Sequence, residues 1–270
     1  MPKKRKKENI SLKVEPVDID ESKLNEIDHG IWKFPSLHLM IGHIASGKST
    51  LLNNIITKFW NPIFEDRVIL FSPTARNDPI MNQLIENDEI FIHFDSFDMN
   101  TMDAVLESIE EDSDPTTRYL VIIDDAMGSI PSTMSKEGRR FNKYLANFRH
   151  IPTEGKISII IAIQKFSALN NVVRSNAHYL YLLGRVSEKE LNSYSEEMNA
   201  ITGGDSKKFI ELYKKSKGGS KYNFLLLDFK KMRLLQNFDT VLYDEETTIN
   251  NDDNEDEDNE KKIIGIENET

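Results

Sequence analysis

The sequence of 270 residues contains no cysteine and no apolar stretch long enough to cross a membrane. Without cysteine, the chain can form neither a disulfide framework nor a cysteine-based zinc site, and it suits a reducing compartment. A membrane span needs about 18 consecutive apolar residues, and a secretory signal needs an apolar stretch after its basic residues, which is missing here. These absences predict a soluble, intracellular protein without a membrane partner.

Positive charge is scarce overall but unevenly distributed. The chain has 34 Lys+Arg and 45 Asp+Glu, a formal net charge of −11. Residues 244–270 hold 12 acidic residues and two lysines, and residues 1–7 hold five basic residues, which leaves −6 on residues 8–243. Charge runs of this kind are usual in disordered tails. We therefore expect a basic head and polar arm over 1–30, a folded domain over 31–243 and an acidic, disordered tail over 244–270. The net charge does not exclude DNA as a partner.

Apolar runs alternate with helical patterns along the middle of the chain. Continuous runs such as 37–41 and 157–163 are typical of strands covered by helices on both faces, whereas residues 49–60 place apolar side chains on one helical face. This alternation predicts an α/β fold with a mostly parallel central sheet and helices on both faces. We expect further strands at 68–71, 90–94, 119–123 and 179–183, further helices at 79–86, 99–110, 137–148, 187–199 and 205–216, and a last strand at 223–229.

A phosphate-binding motif follows the first of these strands and opens the first helix. Residues 42–49 match G-x-x-x-x-G-K-[ST], in which glycines let backbone N–H groups curl around phosphate oxygens. Lys48 supplies a charge for the β- and γ-phosphates and the Ser49 hydroxyl ligates Mg²⁺, while the helix amino-terminus favours an anion. The sequence therefore predicts a P-loop NTPase that binds ATP and Mg²⁺. The nucleotide-binding residues are Gly42, His43, Ile44, Ala45, Ser46, Gly47, Lys48, Ser49 and Thr50.

Polar side chains end two other predicted strands. Asp124 and Asp125 follow one apolar run, and Gln164 follows another. The carboxyl ends of parallel strands line the ligand crevice, so Asp124 is expected to help hold Mg²⁺, Asp125 to orient or deprotonate the attacking water, and Gln164 to contact the γ-phosphate or that water. The plainer alternatives are a solvated strand end for Asp124, a turn cap for Asp125 and a core glutamine for Gln164.

Phosphoryl transfer also needs positive charge on the transition state, and an arginine from a neighbouring subunit often provides it. Arg149, just before the strand at 157–163, is the first candidate, and Arg174 is the second. Arg139 and Arg140 are weaker candidates, because such arginines are more often plain surface residues. Spacing alone does not decide between them.

Taken together, these segments resemble the viral DNA-packaging ATPases of the poxvirus type, a branch of the FtsK–HerA superfamily. The resemblance covers roughly residues 35–185 and rests on GHIASGKST, YLVIIDD and FRH…ISIIIAIQK…VVRSNAHYLYLL. It implies a RecA-like sheet of the additional-strand type. It also implies that Asp124 is the metal-side acid, Asp125 the water-activating acid, Gln164 a sensor and Arg149 a trans-acting finger. One departure is Asp125, since the wider superfamily commonly has Glu at this position.

The resemblance implies a function and partners as well. The expected activity is Mg²⁺-dependent ATP hydrolysis that drives double-stranded DNA into a preformed viral capsid. The expected assembly is a homo-oligomeric ring, a pentamer or hexamer, around duplex DNA, with a capsid or portal component as a further partner. The expected location is the viral assembly site, in the cytoplasm or nucleus of an infected cell. The virion is a second expected location.

Two other functions use the same loop. A nucleotide or nucleoside kinase needs an acceptor-binding lid rich in arginine, but the charged residues of 98–115 are all acids. A nucleotide-binding scaffold without turnover is favoured if Asp125 is catalytically silent.

Two basic segments are candidates for DNA contact. The head at 3–7 either contacts phosphates or serves as a nuclear-import signal, and a solvated terminus is the plain alternative. A lysine cluster in the body is expected to face a DNA-containing channel, where contacts are salt-dependent, or else to form an ordinary solvated helix face. Its members are Lys207, Lys208, Lys214, Lys215, Lys217 and Lys221.

Overall fold

The computed structural model describes residues 26–65, 67–125, 128–131, 134–150 and 156–245. The basic head at 3–7 and most of the predicted acidic tail lie outside the described residues. Eleven strands and eight α-helices are assigned within these ranges. The strands are β1 Ile27–His29, β2 Trp32–Phe34, β3 Leu37–Ile41, β4 Val68–Phe71, β5 Ile92–Phe94, β6 Tyr119–Asp124, β7 Ile157–Ile163, β8 Tyr179–Leu182, β9 Leu225–Asp228, β10 Arg233–Gln236 and β11 Thr240–Asp244. The helices are α1 Lys48–Asn54, α2 Asn61–Phe64, α3 Pro79–Glu86, α4 Met99–Glu111, α5 Lys136–Asn147, α6 Asn171–Ser175, α7 Glu188–Met198 and α8 Ser206–Ser216.

A nine-stranded sheet forms the centre of the molecule, in the order β11-β10-β9-β8-β3-β7-β6-β4-β5. The strands from β8 to β5 in this order are mutually parallel, whereas β9, β10 and β11 extend the sheet as an antiparallel meander. The strand β7 lies between β3, which leads into the phosphate-binding loop, and β6, which ends at Asp124. The mostly parallel α/β sheet predicted from the sequence is confirmed. The additional strand that the family resemblance implies is β7.

Apolar side chains pack on both faces of this sheet. Along β6, Val121 and Ile123 belong to one core cluster, which also contains side chains of α4, α5, α7 and α8. Leu120 and Ile122 belong to the other, with side chains of α1 and α3 and the hairpin residue Trp32. Because successive residues of a strand point to opposite faces, a continuous apolar run is what this two-sided burial requires. The predicted helices on both faces are therefore confirmed.

The phosphate-binding helix is less regular than the sequence pattern predicts. The pattern over 49–60 predicts one helix, but α1 passes into a π-helical turn at Ile55–Phe59, and Pro62 lies inside the short helix α2 that follows. Proline is accepted in a first helical turn because its missing N–H is not needed there.

The hairpin of β1 and β2 pairs Ile27 with Phe34, so paired residues lie on both sides of the domain boundary expected near residue 30.

The predicted last strand, 223–229, is not the last. β9 occupies its centre, and β10 and β11 follow it. Among the helices of the described ranges, none has the length and apolar character that a membrane span requires.

Candidate active site

The phosphate-binding loop lies at the carboxyl end of β3, between a buried strand and the amino end of α1. All five residues of β3 are buried, and β7 and β8 flank the strand, so the position of the loop is fixed by the middle of the sheet. Gly47 has φ 95° and Ala45 has φ 59°, backbone angles that strongly favour glycine. At Gly42, a Cβ would lie 2.3 Å from Ser46 Oγ and 2.9 Å from Leu183 Cβ. The loop therefore needs glycine at both motif positions for steric reasons.

Lys48 folds back over its own loop. Its Nζ donates to the carbonyl oxygen of Gly42 at 2.6 Å and more distantly to that of His43 at 3.4 Å. Burial lowers the pKa of Lys48, while the carboxylates of Asp124 and Asp125 act in the opposite direction. The ammonium group thus lies within the field of both acids that the sequence places at the end of β6.

The Ser49 hydroxyl has a partner that sequence reasoning missed. It donates to Asp78 Oδ2 at 2.6 Å, and Asp78 also caps α3 by accepting from the backbone N–H groups of Ile80 and Met81. The Asp-Pro pair before α3 is a recognisable helix start, so a capping role is readable from the sequence. The contact with Ser49 joins residues 29 positions apart and has no such local signal.

Asp124 ends β6 as a buried carboxyl group with 7% exposure. Ser72, which directly follows β4, donates its hydroxyl to Asp124 Oδ2 at 3.4 Å. Burial raises the pKa of Asp124 to about 6, with a further increase from the charge of Asp125; Lys48 and Ser72 oppose the shift. The solvated strand end considered for Asp124 does not describe this environment. A carboxylate at this depth is stabilised by nearby positive charge and by hydrogen bonds to it.

Asp125 and Gln164 meet across two neighbouring strand ends. Gln164 Nε2 donates to Asp125 Oδ1 at 3.0 Å, and the Asp125 backbone N–H donates to the Ala162 carbonyl at 3.1 Å. Asp125 has φ 48°, an unusual left-handed conformation that aspartate tolerates better than most residues. The amide of Gln164 thereby fixes one carboxylate oxygen of Asp125, and Gln164 is a half-buried, paired side chain rather than a core glutamine.

The acids around Lys48 fit a divalent cation only together with a phosphate ligand. Within the described part of the chain, no group of three or more His, Cys, Asp or Glu side chains is arranged to hold a metal by itself. However, Asp78, Asp124 and Asp125 concentrate negative charge at this edge. The charges of Asp125 and Asp78 both raise the pKa of Asp124. Mg²⁺ commonly binds through one or two protein oxygens together with substrate phosphates. Ser49 and Asp124 would supply the protein oxygens.

The candidate arginines do not reach this site within one chain. Arg149 is exposed and lies close to His178, whose pKa is lowered to about 3 by burial and by the charges of Lys230 and Arg149. His178 precedes β8 and its N–H donates to the Leu37 carbonyl at the start of β3, at the sheet edge opposite the phosphate-binding loop. The role of Arg149 as a trans-acting finger stays a prediction.

The other three candidate arginines make contacts elsewhere in the chain. Arg174 Nε lies 3.0 Å from Glu197 Oε2, and its guanidinium lies 4.8 Å from the centre of the Phe166 ring. Arg140 pairs with Asp103, and Arg139 donates to the Met134 carbonyl at 2.8 Å.

One member of the predicted lysine cluster is not on the surface. Lys217 is 7% exposed, and its Nζ donates to the carbonyl oxygens of Leu182 at 2.6 Å and Asn223 at 3.2 Å. Burial lowers its pKa to about 7. Including Lys217 in a DNA-facing patch was wrong, because the stretch from α8 to β9 turns this side chain inward to tie the turn to β8. Lys207, Lys214 and Lys215 are exposed and recur on one face of α8.

Comparison with solved structures identifies the fold. The crystal structure of B204, the DNA-packaging ATPase from Sulfolobus turreted icosahedral virus, superposes with a TM-score of 0.56 at 16% identity, covering 74% of this chain and 96% of that one. The chain has a P-loop NTPase fold. The genome-packaging NTPase B204 from Sulfolobus turreted icosahedral virus 2 gives a TM-score of 0.55 at 16% identity in complex with AMP, over 74% of this chain and 96% of that one. Its complex with ATP-gammaS gives 0.53 at 15% identity, over 74% and 95%. No protein-family model and no curated protein sequence matches the chain.

Within this P-loop NTPase fold, the residues predicted from the sequence divide into those at the loop edge of the sheet and the candidate arginines, which do not reach that edge within one chain. The loop residues 42–50 and the three polar residues that end β6 and β7 share one edge of the sheet. The structure adds Ser72 and Asp78 to them through their contacts with Asp124 and Ser49.

Proposed function

We propose that the chain is an ATP-driven motor that translocates double-stranded DNA into a viral capsid, working as a homo-oligomeric ring. One observation carries the hydrolytic part of the proposal. Lys48, Ser49, Asp124, Asp125 and Gln164 converge at one sheet edge, with β7 inserted between the loop strand and the acidic strand. The packaging role is supported by the likeness in fold to B204, the DNA-packaging ATPase from Sulfolobus turreted icosahedral virus, of which this chain covers 96%.

The chemistry assigns a separate task to each side chain. Lys48 exchanges its bonds to the loop carbonyls for bonds to the β- and γ-phosphate oxygens. Ser49 and Asp124 would hold Mg²⁺, which would supply charge neutralisation for the phosphates. Asp125 orients the attacking water and accepts its proton. Gln164 restricts the rotation of that carboxylate through the 3.0 Å hydrogen bond that its Nε2 donates. The water oxygen forms a bond to the γ-phosphorus while the bond from that phosphorus to the bridging oxygen breaks. ADP leaves with the bridging oxygen, and the γ-phosphoryl group is released as inorganic phosphate.

A neighbouring subunit completes the site in this proposal. Phosphoryl transfer needs a further cation on the transition state, and Arg149 lies on the edge of the sheet away from its own loop. A ring in which each subunit presents that edge to the next would deliver Arg149 to the neighbouring site. The partners are duplex DNA and a capsid or portal component, and the place of action is the viral assembly site of an infected cell.

Phosphate release from ATP tests the proposed activity against its alternatives. The wild-type chain is expected to hydrolyse ATP with Mg²⁺, faster with linear duplex DNA, and Lys48→Ala is expected to abolish turnover. A kinase would instead respond to a nucleoside or nucleoside monophosphate acceptor, and a scaffold would respond to neither. Turnover that depends on such an acceptor and ignores DNA would contradict the motor.

A further inference from the structure

A pocket of about 480 Å³ opens directly beside the phosphate-binding loop. One wall consists of the loop and the first turns of α1, including Gly47, Thr50 and Asn54. The lining also includes four aromatic rings: Phe59, from the π-helical turn after α1, and Tyr222, Phe224 and Phe238 from the carboxyl-terminal part of the chain. The pocket therefore combines polar groups on the helix that follows the P-loop with a set of aromatic rings.

Tyr222 is the most exposed of these rings. Its side chain belongs to a residue that is 55% exposed, whereas Phe224 is 7% exposed and part of the core. Tyr222 also reaches the loop itself, since a Cβ built on Gly47 would lie 3.5 Å from Tyr222 Cδ1. An aromatic ring left half open to solvent and in contact with a phosphate-binding loop is available to a planar ligand.

The segment that carries Tyr222 is tied down on both sides. Before it, Lys217 Nζ bonds to the carbonyl oxygens of Leu182 and Asn223. After it, the Phe224 N–H donates to Asn237 Oδ1 at 3.2 Å. The Tyr222 N–H itself donates to Ser220 Oγ at 3.3 Å. Fixing the backbone that carries the ring reduces the entropy that a ligand must overcome on binding.

The direction of α1 relates this pocket to the phosphates. Phosphate oxygens belong at the amino end of α1, where Lys48 and Ser49 lie, and Thr50 and Asn54 lead from there along the helix to the pocket. The part of a nucleotide beyond its α-phosphate is the ribose and the base. The Nζ of Lys221 lies over one face of the Tyr222 ring, 4.7 Å from its centre. It adds a positive charge at the rim, and a stacked ligand must use the other face or displace this ammonium group.

We propose that this pocket receives the nucleoside part of the triphosphate and that the base stacks on Tyr222. The proposal rests on the proposed function in one respect, namely that the P-loop binds a nucleoside triphosphate. Aromatic stacking tolerates any base, and Tyr222 is then the residue that distinguishes a nucleoside triphosphate from a bare polyphosphate.

Calorimetric titration with ATPγS and with inorganic tripolyphosphate, both with Mg²⁺, tests this assignment. Stacking on one aromatic side chain typically changes affinity by about 5–150-fold, which is about 1–3 kcal/mol. Tyr222→Ala is therefore expected to weaken ATPγS binding about tenfold and to leave tripolyphosphate binding unchanged. Tyr222→Phe keeps the ring and should bind both ligands like the wild type. Phe91→Ala is a matched control, since Phe91 is 54% exposed near the β5 edge of the sheet.

The outcomes separate the two proposals. Equal loss of ATPγS and tripolyphosphate affinity in Tyr222→Ala, or no loss of either, overturns the stacking role and leaves the proposed function intact. A wild-type chain that binds neither ligand overturns the proposed function and the pocket assignment together. An unchanged melting temperature of Tyr222→Ala establishes that the variant is folded, as the exposure of Tyr222 leads us to expect.

Discussion

Asp124 shows how a single buried carboxyl group ties stability to function. Its pKa is raised to about 6 by burial and by the charge of Asp125, whereas an aspartate in an unfolded chain titrates near 4. The folded chain therefore keeps this proton to higher pH than the unfolded chain does. By linkage, the contribution of Asp124 to stability falls as pH rises from about 4 to 6 and is lowest above that window.

Asp124→Asn is accordingly expected to stabilise the chain without nucleotide at pH 7.5 while lowering ATP turnover. A raised pKa of this size corresponds to about 2–3 kcal/mol of unfolding free energy. The gain should shrink at pH 5, where Asp124 of the wild type is mostly protonated. Urea unfolding at the two pH values measures it, and a gain that is equal at both would contradict a costly carboxylate.

The residues of the site differ in how far the sequence reveals them. Lys48, Ser49 and the loop glycines are predictable because one short motif encodes both their chemistry and the backbone that positions them. Asp124, Asp125 and Gln164 are predictable from the rule that parallel strand ends converge. Asp78 and Ser72 are not, because their contacts with Ser49 and Asp124 depend on how α3 and β4 pack beside the loop.

At the scale of elements, the P-loop depends on close approach between its own turns. A Cβ on Gly42 would lie 2.3 Å from Ser46 Oγ and 2.9 Å from Leu183 Cβ, and the latter atom cannot rotate away. Gly42→Ala is therefore expected to cost about 1–3 kcal/mol of stability and to lower ATP affinity. Gly128→Ala is the control, because a Cβ there would meet no atom within 4 Å. Equal melting temperatures and equal affinities for both variants would refute the packing argument.

The sheet shows where prediction from sequence ends. The parallel strands appear in the sequence as continuous apolar runs because both of their faces are buried. β10 and β11 are short and have polar ends, with Arg233 and Thr240 as their first residues, and neither stands out as an apolar run. The turns beside them use left-handed residues, Met232 and Asn237. Asn237 is a recognisable turn residue, but methionine carries no such signal.

At the scale of the whole molecule, the exposed lysines of α8 are the candidate surface for duplex DNA. Lys214 and Lys215 are exposed at the carboxyl end of the helix. Replacing both by glutamate is expected to abolish stimulation of ATP turnover by duplex DNA and to leave basal turnover unchanged, because phosphate contacts are electrostatic. The buried Lys217 must be left in place, since a glutamate there would face two carbonyl oxygens.

Lys136→Glu with Lys143→Glu on α5 is the matched control for this reversal. Both lysines are exposed and lie seven residues apart on one helix, so the variant carries the same change of net charge elsewhere. Equal DNA stimulation in the α8 variant and the wild type would remove this face of α8 from the DNA path.

The predicted role of Arg149 requires a neighbouring subunit, because Arg149 is exposed and remote from its own P-loop. Arg149→Ala is expected to hydrolyse ATP as slowly as separated wild-type subunits do. The loss relative to the wild-type ring should be large, about a thousandfold, as for other trans-acting arginines. Turnover measured on oligomer fractions from size-exclusion chromatography checks this, and Arg149→Ala rings of normal activity would rule out the finger.

Displacement of a triplex-forming strand from linear duplex DNA tests the motor most directly. A protein that moves along duplex DNA strips off the third strand as it passes, whereas a kinase or a nucleotide-binding scaffold leaves it in place. We predict displacement by the wild-type chain that requires ATP and Mg²⁺ and is lost in Lys48→Ala. Wild-type chain that hydrolyses ATP but leaves the triplex intact, on DNA long enough to load a ring, would contradict translocation.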